Sequence, residues 1–340
     1  MSSIIEIESS TGSYDIIIEE NALARIGECV KNKCVVVVDR KVYGIWSDYI
    51  NNALDASGVT YNIVEVDGGE INKHIYNVLY MYGEFNRYGI TKSDTIVCIG
   101  GGVVGDMTAF AAATYLRGVE VVQVPTTLLS MVDSSIGGKS AIDMPFGKNL
   151  VGVIKSPSAV LIDKRFLTSL DERQVATGMA EIIKSGLIGD EDILVEAEKD
   201  NSDIERLIEL SLRVKGGVVM RDEFETGERM VLNLGHTIGH AIEALGKYVK
   251  YTHGEAVAIG MYNIAKLTEE KKLTENIYSE KIKNVLIKYD LPYEVNIEEK
   301  DEIINTISLD KKNMGKVLKV ILVREIGNAE IYDTNLEFFK

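Results

Sequence analysis

The chain of 340 residues carries four histidines, and three of them, His236, His240 and His253, fall between positions 236 and 253. His236 and His240 stand four apart in NLGHTIGHAIE (233–243). On a helix of 100° per residue such a pair shares one face, which is the spacing of a two-point grip on a divalent cation. The glutamate of the metalloprotease HExxH pattern is missing, however, since the sequence reads HTIGH. Paired core histidines, each satisfied by a hydrogen bond, are the alternative. His253 begins HGEAVAIG, at the start of the next helical pattern, from where it can fold back onto the first. A catalytic zinc takes three protein ligands, commonly two histidines and a glutamate, and keeps one position open. GMAEIIKSG offers the carboxylate: Glu181 lies on an otherwise apolar helix face, a costly place unless it is paired or ligating. Lys184 is one turn further on the same face.

A second group of residues suits phosphate. TIVCIGGGVVGDMTAFAAA (95–113) passes from an apolar strand pattern through glycines into a helix pattern, and Gly100, Gly102 and Gly105 satisfy G-x-G-x-x-G. Glycines there let the backbone approach a pyrophosphate, and the helix start offers unpaired N–H groups. A tight structural turn would use the same glycines. The acid expected at the end of a neighbouring strand is better supplied by Asp39, which closes KCVVVVD (33–39), than by Glu120; helix N-capping is its plainer role. Downstream, VPTTLLSMVDSSIGGKSAIDMPFGKNLVG (124–152) is dense in hydroxyls and glycines and holds Lys139 and Lys148. Such a stretch is uncommon in a compact domain unless it serves a site.

Two halves must position these groups. Apolar runs at 33–39, 95–100, 119–124 and 159–163 alternate with helical patterns near 41–56, 73–88 and 103–116. This alternation indicates an α/β domain built on a mainly parallel sheet covered on both faces. From 171 the pattern turns to amphipathic helices at 171–188, 201–223, 228–246, 253–273 and 275–289, with a small hairpin from 316–323 and 329–333. The expected domains are 1–170 and 171–340, with a cleft between them.

A net charge of −15 opposes nucleic-acid and anionic-membrane partners. An anionic small molecule would need a local pocket of basic residues. No apolar run is long enough to span a bilayer, and MSSIIEIESS shows no signal-peptide pattern. Cys29, Cys34 and Cys98 lack CxxC spacing and read as free thiols of a reducing cytoplasm.

Taken in order, GGGVVGD, the R-G of TYLRGV, VPTTLL, VDSSIGGK, GKNLVG, GMAEIIK, NLGHTIGHAIE and HGEAV resemble the 3-dehydroquinate synthase family over nearly the whole chain. The resemblance implies an N-terminal Rossmann-like α/β domain followed by a mostly α-helical domain, a cytoplasmic homodimer, and NAD and a divalent metal, zinc or cobalt, as cofactors. The implied reaction converts 3-deoxy-D-arabino-heptulosonate 7-phosphate to 3-dehydroquinate and phosphate in the shikimate pathway. Transient oxidation by NAD, phosphate elimination, re-reduction and an intramolecular aldol closure are its steps. Carried over residue by residue, the resemblance makes Glu181, His236 and His253 the metal ligands and His240 a catalytic group beside them. Arg117, Lys139, Lys184, Lys215, Arg229 and one of Lys311 or Lys312 match positions that hold carboxylate and phosphate. Asp133 and Asn233 match contacts to substrate hydroxyls. Asp39, Glu70, Lys73, Gly102, Val103, Val104, Gly105, Asp106, Thr126, Thr127, Lys139, Lys148 and Thr168 match the NAD contacts. One departure is DGGEINK (67–73), which has a glycine more than the usual DGEQYK.

Three rivals share some of these features. A glycerol-type polyol dehydrogenase would use NAD and metal without the basic pocket. Another sugar-phosphate cyclase, such as 2-deoxy-scyllo-inosose synthase, would keep the pocket for a different sugar. A non-catalytic NAD- and metal-binding regulator would be expected to lose members of the set.

Overall fold

The computed structural model describes residues 2–247, 249–274, 276–295, 300–314 and 317–339, with the side chains of 309–314 outside that description. The chain divides into two compact units, Met1–Asp171 and Glu172–Lys340.

In the first unit, β1 (Ser3–Ser9) and β2 (Gly12–Ile18) form an antiparallel hairpin, and a single helical turn, α1 (Ile26–Cys29), leads to β3 (Lys33–Asp39). Then follow α2 (Arg40–Ser57), β4 (Thr60–Val66), α3 (Ile75–Arg87), β5 (Thr95–Gly100), α4 (Gly102–Thr114), β6 (Glu120–Pro125), the hairpin of β7 (Lys139–Met144) with β8 (Gly147–Ile154), and β9 (Ala159–Ile162). Seven strands make one sheet in the order β1-β2-β9-β6-β5-β3-β4, parallel at every pairing except β1 with β2. The unbroken apolar runs become its centre. Val35, Val36, Val37 and Val38 are fully buried, each contributing about 1.5–3 kcal/mol of transfer free energy. Cys34 and Cys98 are buried in the same strands, and Cys29 is half-buried.

The strand order explains where a ligand can bind. From β3 the chain moves by α2 to β4 on one side, then by α3 to β5 on the other. The connections therefore diverge between β3 and β5 and leave a crevice beyond their carboxyl ends. Asp39 is the last residue of β3, and Gly100 the last of β5.

The second unit is built around α5 (Glu172–Gly189), in which every residue from Ala176 to Ile188 is buried. Around it lie α6 (Asp192–Glu198), α7 (Ile204–Arg221), α8 (His236–Leu245), α9 (His253–Glu270), α10 (Ser279–Lys288) and α11 (Lys300–Met314), with a hairpin of β10 (Leu318–Glu325) and β11 (Asn328–Thr334). The fold is thus an α/β Rossmann-like unit followed by a mostly helical one.

One expected helix, 228–246, is broken. It is a 3-10 segment, Glu228–Asn233, then Gly235 at φ 80°, then α8. The neighbouring helix forces the break: a Cβ on Gly235 would stand 2.7 Å from the carbonyl oxygen of Val257 on α9. Two strands of the central sheet's margins, β1 and β2, and the edge strand β4 were absent from the sequence-based expectation. So were the β7–β8 hairpin, α6 and α11. The expected helix at 275–289 shortens to α10.

Gly254 of α9 packs against the backbone of Thr177 on α5. A Cβ there would lie 2.4 Å from the carbonyl oxygen of Thr177, which is backbone and cannot swing aside. Gly254→Ala is expected to destabilise the protein by about 1–3 kcal/mol and to move His253 away from Glu181. Denaturant unfolding and metal content check this; unchanged values for both would refute it.

Candidate metal and nucleotide sites

Glu181 on α5, His236 at the start of α8 and His253 at the start of α9 converge, each offering a ligand atom within 4.8 Å of the others. The helix break places His236 so that its Nδ1 lies 3.1 Å from the carbonyl oxygen of Leu234. With Nδ1–H donating there, Nε2 is left as the ligating nitrogen. His253 is held between two carboxylates, with Nδ1 3.4 Å from Glu243 Oε2 and Nε2 3.5 Å from Glu181 Oε1. The N-terminus of α9 is itself fixed by a capping box, in which Thr252 and Glu255 exchange side chain and backbone bonds. Arg173 of α5 pairs with Glu255 at 2.7 Å.

Glu181 is the informative residue. One oxygen, Oε2, is paired with Lys184. The other, Oε1, is buried and makes no well-formed hydrogen bond, with only His253 Nε2 near it at 3.5 Å, a costly arrangement unless a cation completes it. Burial raises the Glu181 carboxyl, but the Lys184 ammonium and the imidazoles hold it well below the usual range. Burial, aided by Lys184, keeps His236 well below its ordinary value and so neutral, the form that ligates. Burial opposes charge on His253, yet the carboxylates of Glu181 and Glu243 lift it to about 10. The donor set, two imidazoles and one carboxylate with a weakly satisfied oxygen, fits zinc or cobalt.

His240 is on the same helix, its ring centroid 5.3 Å from that of His236 and 6.4 Å from that of His253. It is exposed and outside the ligand trio. Two further cations of the unit are buried, Lys215 at 7% and Arg229 at 3% exposure. Arg229 rides on a loop organised by Asp222, whose carboxylate accepts from the backbone of Thr226, Gly227 and Arg229 at 2.8–3.0 Å. Those donors pull Asp222 down to about 2. The guanidinium donates to the Glu223 carbonyl at 2.5 Å, and Asn233 Nδ2 donates to Glu225 at 2.9 Å. Lys311 and Lys312 lie outside the described side chains.

In the first unit the structure gathers most of the expected nucleotide contacts around the β3/β5 crevice. Asp39 caps α2 through a bond from Lys41 N at 2.8 Å, and its other oxygen faces Gly68, where a Cβ would come within 2.2 Å. The extra glycine of DGGEINK region thus sits where the loop after β4 passes close to Asp39. Lys73 is 5% exposed and binds Asp106 Oδ2 and Asn149 Oδ1, both at 2.6 Å. Lys148 pairs with Glu70 at 2.9 Å. Glu70, Lys73, Asp106 and Lys148 therefore form one network tying the β4–α3 loop to α4 and the β7–β8 hairpin. Gly102, Val103, Val104 and Gly105 form the first turn of α4. Thr126 N donates to the Gly100 carbonyl at 3.0 Å, and Thr127 Oγ1 bonds Ser130 Oγ at 2.9 Å.

Two buried hydroxyls at this turn, Thr126 Oγ1 and Ser134 Oγ, lack partners. Ser134 Oγ stands 2.8 Å from where a Cβ on Gly102 would be. Orphaned donors beside a helix N-terminus fit the phosphate oxygens of a dinucleotide. Asp133 lies beside Ser134 in the segment after β6, and Lys139 opens β7, exposed.

Two expected residues stand apart. Arg117 follows α4 and precedes β6, at the amino ends of the strands, whereas Gly102 and Asp133 follow the carboxyl ends of β5 and β6. It is exposed at φ 62° and lines a groove of about 800 Å³ with Lys31, Lys92 and Lys155. Thr168 lies on the 3-10 segment after β9, donating to the Arg165 carbonyl at 2.8 Å. Two residues near these sites escaped the sequence reading. Glu243 had a signal, since it follows His236 by seven residues and so shares its helix face; Ser134 had none beyond the hydroxyl-rich run around it.

The chain is similar to known proteins along nearly its whole length. The 3-dehydroquinate synthase N-terminal family model matches residues 63–177, and the C-terminal model matches 178–313. The 3-dehydroquinate synthase of Clostridium beijerinckii is 44% identical over 344 residues, covering 98% of each chain. Among solved structures, 2-deoxy-scyllo-inosose synthase complexed with carbaglucose-6-phosphate, NAD+ and Co2+ superposes with a TM-score of 0.85 at 25% identity, covering 99% of this chain and 98% of that one. The 2-epi-5-epi-valiolone synthase of Streptomyces hygroscopicus, with NAD+ and Zn2+ bound, gives 0.87 at 24% identity, covering 96% and 94%. With both halves matched and near-full-length identity of this order, the chain belongs to the 3-dehydroquinate synthase family.

Proposed function

We propose that this enzyme converts 3-deoxy-D-arabino-heptulosonate 7-phosphate to 3-dehydroquinate and phosphate, with NAD and one divalent metal per chain, as a cytoplasmic homodimer. The observation that carries it is the convergence of the buried Glu181 carboxylate with His236 and His253, their ligand atoms within 4.8 Å of one another, in a chain 44% identical to a 3-dehydroquinate synthase. The cofactors, when bound, supply reversible hydride transfer and Lewis-acid polarisation of a hydroxyl oxygen.

The protein's own residues do the rest. Glu181, His236 and His253 hold the metal. Asp39, the first turn of α4, Thr126 and Thr127 hold the dinucleotide, with Glu70, Lys73, Asp106 and Lys148 shaping its floor. Lys184, Lys215 and Arg229 supply positive charge for a carboxylate and a phosphate, joined by Lys139 and by Lys311 or Lys312. Asp133 and Asn233 bond substrate hydroxyls and fix one pose, which is the larger part of the rate gain in such a sequence of steps. His240 carries a proton on a ring nitrogen between substrate and solvent. Thr168 completes the NAD contacts. Arg117, at the amino ends of the strands and so away from Asp133, reaches the substrate only if a second copy of the chain supplies it; light scattering tests this, and a monomer would remove Arg117 from the site.

Phosphate release from the heptulosonate phosphate tests the activity. Release is expected only when NAD+ and zinc or cobalt are both present. Release without either, or none with both, would overturn the assignment.

A further inference from the structure

The structure assigns Glu243 a role in the metal centre: it is the positioning residue that fixes the His253 ring so that Nε2 points at the metal. Glu243 lies on α8, seven residues beyond His236, and is buried at 8% exposure. Its Oε2 is 3.4 Å from His253 Nδ1, while His253 Nε2 faces Glu181 Oε1 at 3.5 Å. His253 needs such a support because it is the first residue of α9, where no preceding helical turn restricts its ring. His236 obtains the equivalent restraint from the Leu234 carbonyl. Each histidine ligand thus has its Nδ1 assigned, one to a backbone carbonyl and one to a carboxylate. A carboxylate partner also raises imidazole basicity, and such outer contacts are worth about 10–100-fold in metal affinity.

The inference rests on the metal assignment of Glu181, His236 and His253, so His236→Ala is run beside the test variants. The measurement is Zn2+ affinity of the full chain by chelator competition, with the visible absorption of the Co2+ form as a report on ligand geometry. Glu243→Ala and Glu243→Leu are expected to lose about 10–100-fold in affinity and to alter the Co2+ spectrum. Glu243→Gln keeps an acceptor for Nδ1–H and is expected to stay within about threefold of the parent, on the same hydrogen-bond argument. Leucine fills the volume, so a folding failure of the alanine variant still leaves the leucine and glutamine pair to compare. Equal losses in all three, or no loss in any, would overturn the role. Retention of metal by His236→Ala would instead overturn the metal assignment itself.

Discussion

Replacing His236 by alanine is expected to remove the bound metal and to lower turnover by a factor of about a thousand or more, since Lewis-acid assistance is worth several kcal/mol and 1.4 kcal/mol is tenfold. His236 supplies one of three ligand atoms lying within 4.8 Å, and its loss leaves Glu181 and His253 as a two-point grip. His240→Ala should behave differently. That ring is exposed and lies outside the trio, so metal content should stay near one per chain while the rate falls by about 100- to 10,000-fold, the span of a lost general acid or base. Metal analysis of the two purified variants separates them. Equal metal loss in both would show that the histidines do not divide their tasks.

Lys73→Ala is expected to produce the largest loss of stability. Its ammonium is 2.6 Å from Asp106 Oδ2 and 2.6 Å from Asn149 Oδ1. Burial pushes Asp106 up to about 6 even though Lys73 pulls it down. Without Lys73, the carboxylate loses its counter-charge in a largely desolvated place. Breaking a buried pair costs about 3–5 kcal/mol, and the low end applies because the Asp106 side chain keeps 19% exposure. The pH dependence follows from the raised folded value. Between about 4 and 6 the folded state binds a proton that the unfolded chain has released, so stability falls as pH rises. In Lys73→Ala the carboxyl rises further and the fall continues above pH 6. Denaturant unfolding at pH 5 and pH 8 should show a small deficit at the first and the full one at the second; parental stability at pH 8 would contradict the pairing.

The metal trio was legible because histidine is rare here and a carboxylate on the apolar face of α5 needs a reason to be buried. The central strands were legible for a related cause: VVVV and IVCI have no polar residue to expose, so only a two-sided burial accommodates them. β4 was not, because TYNIVEV alternates exposed and covered residues at the sheet edge and reads as weakly as any mixed segment. The β7–β8 hairpin was hidden further, since GKNLVGVI leaves most of its side chains exposed or half-buried and carries little apolar pattern. The break at Gly235 depends on α9 pressing against it, a contact that no local propensity encodes. Glu243 escaped because one acid at the end of a helical run looks like surface until His253 is brought beside it. Arg117 shows the converse, since a motif can place a residue in a family pattern without saying at which end of the strands it lies.

Redox stoichiometry is the most direct test of the proposed reaction. The glycines and Asp39 at the β3/β5 crevice together with the Glu181 trio would serve a dehydrogenase equally well. The buried cations Lys215 and Arg229 argue for an anionic substrate, and phosphate loss without net oxidation distinguishes the two chemistries. The measurement is absorbance of reduced nicotinamide alongside phosphate release, with the heptulosonate phosphate in large excess over NAD+ and enzyme. Phosphate is expected to accumulate through many turnovers per NAD+ with almost no absorbance change. Reduced nicotinamide appearing one for one with product would contradict the synthase assignment and identify a dehydrogenase.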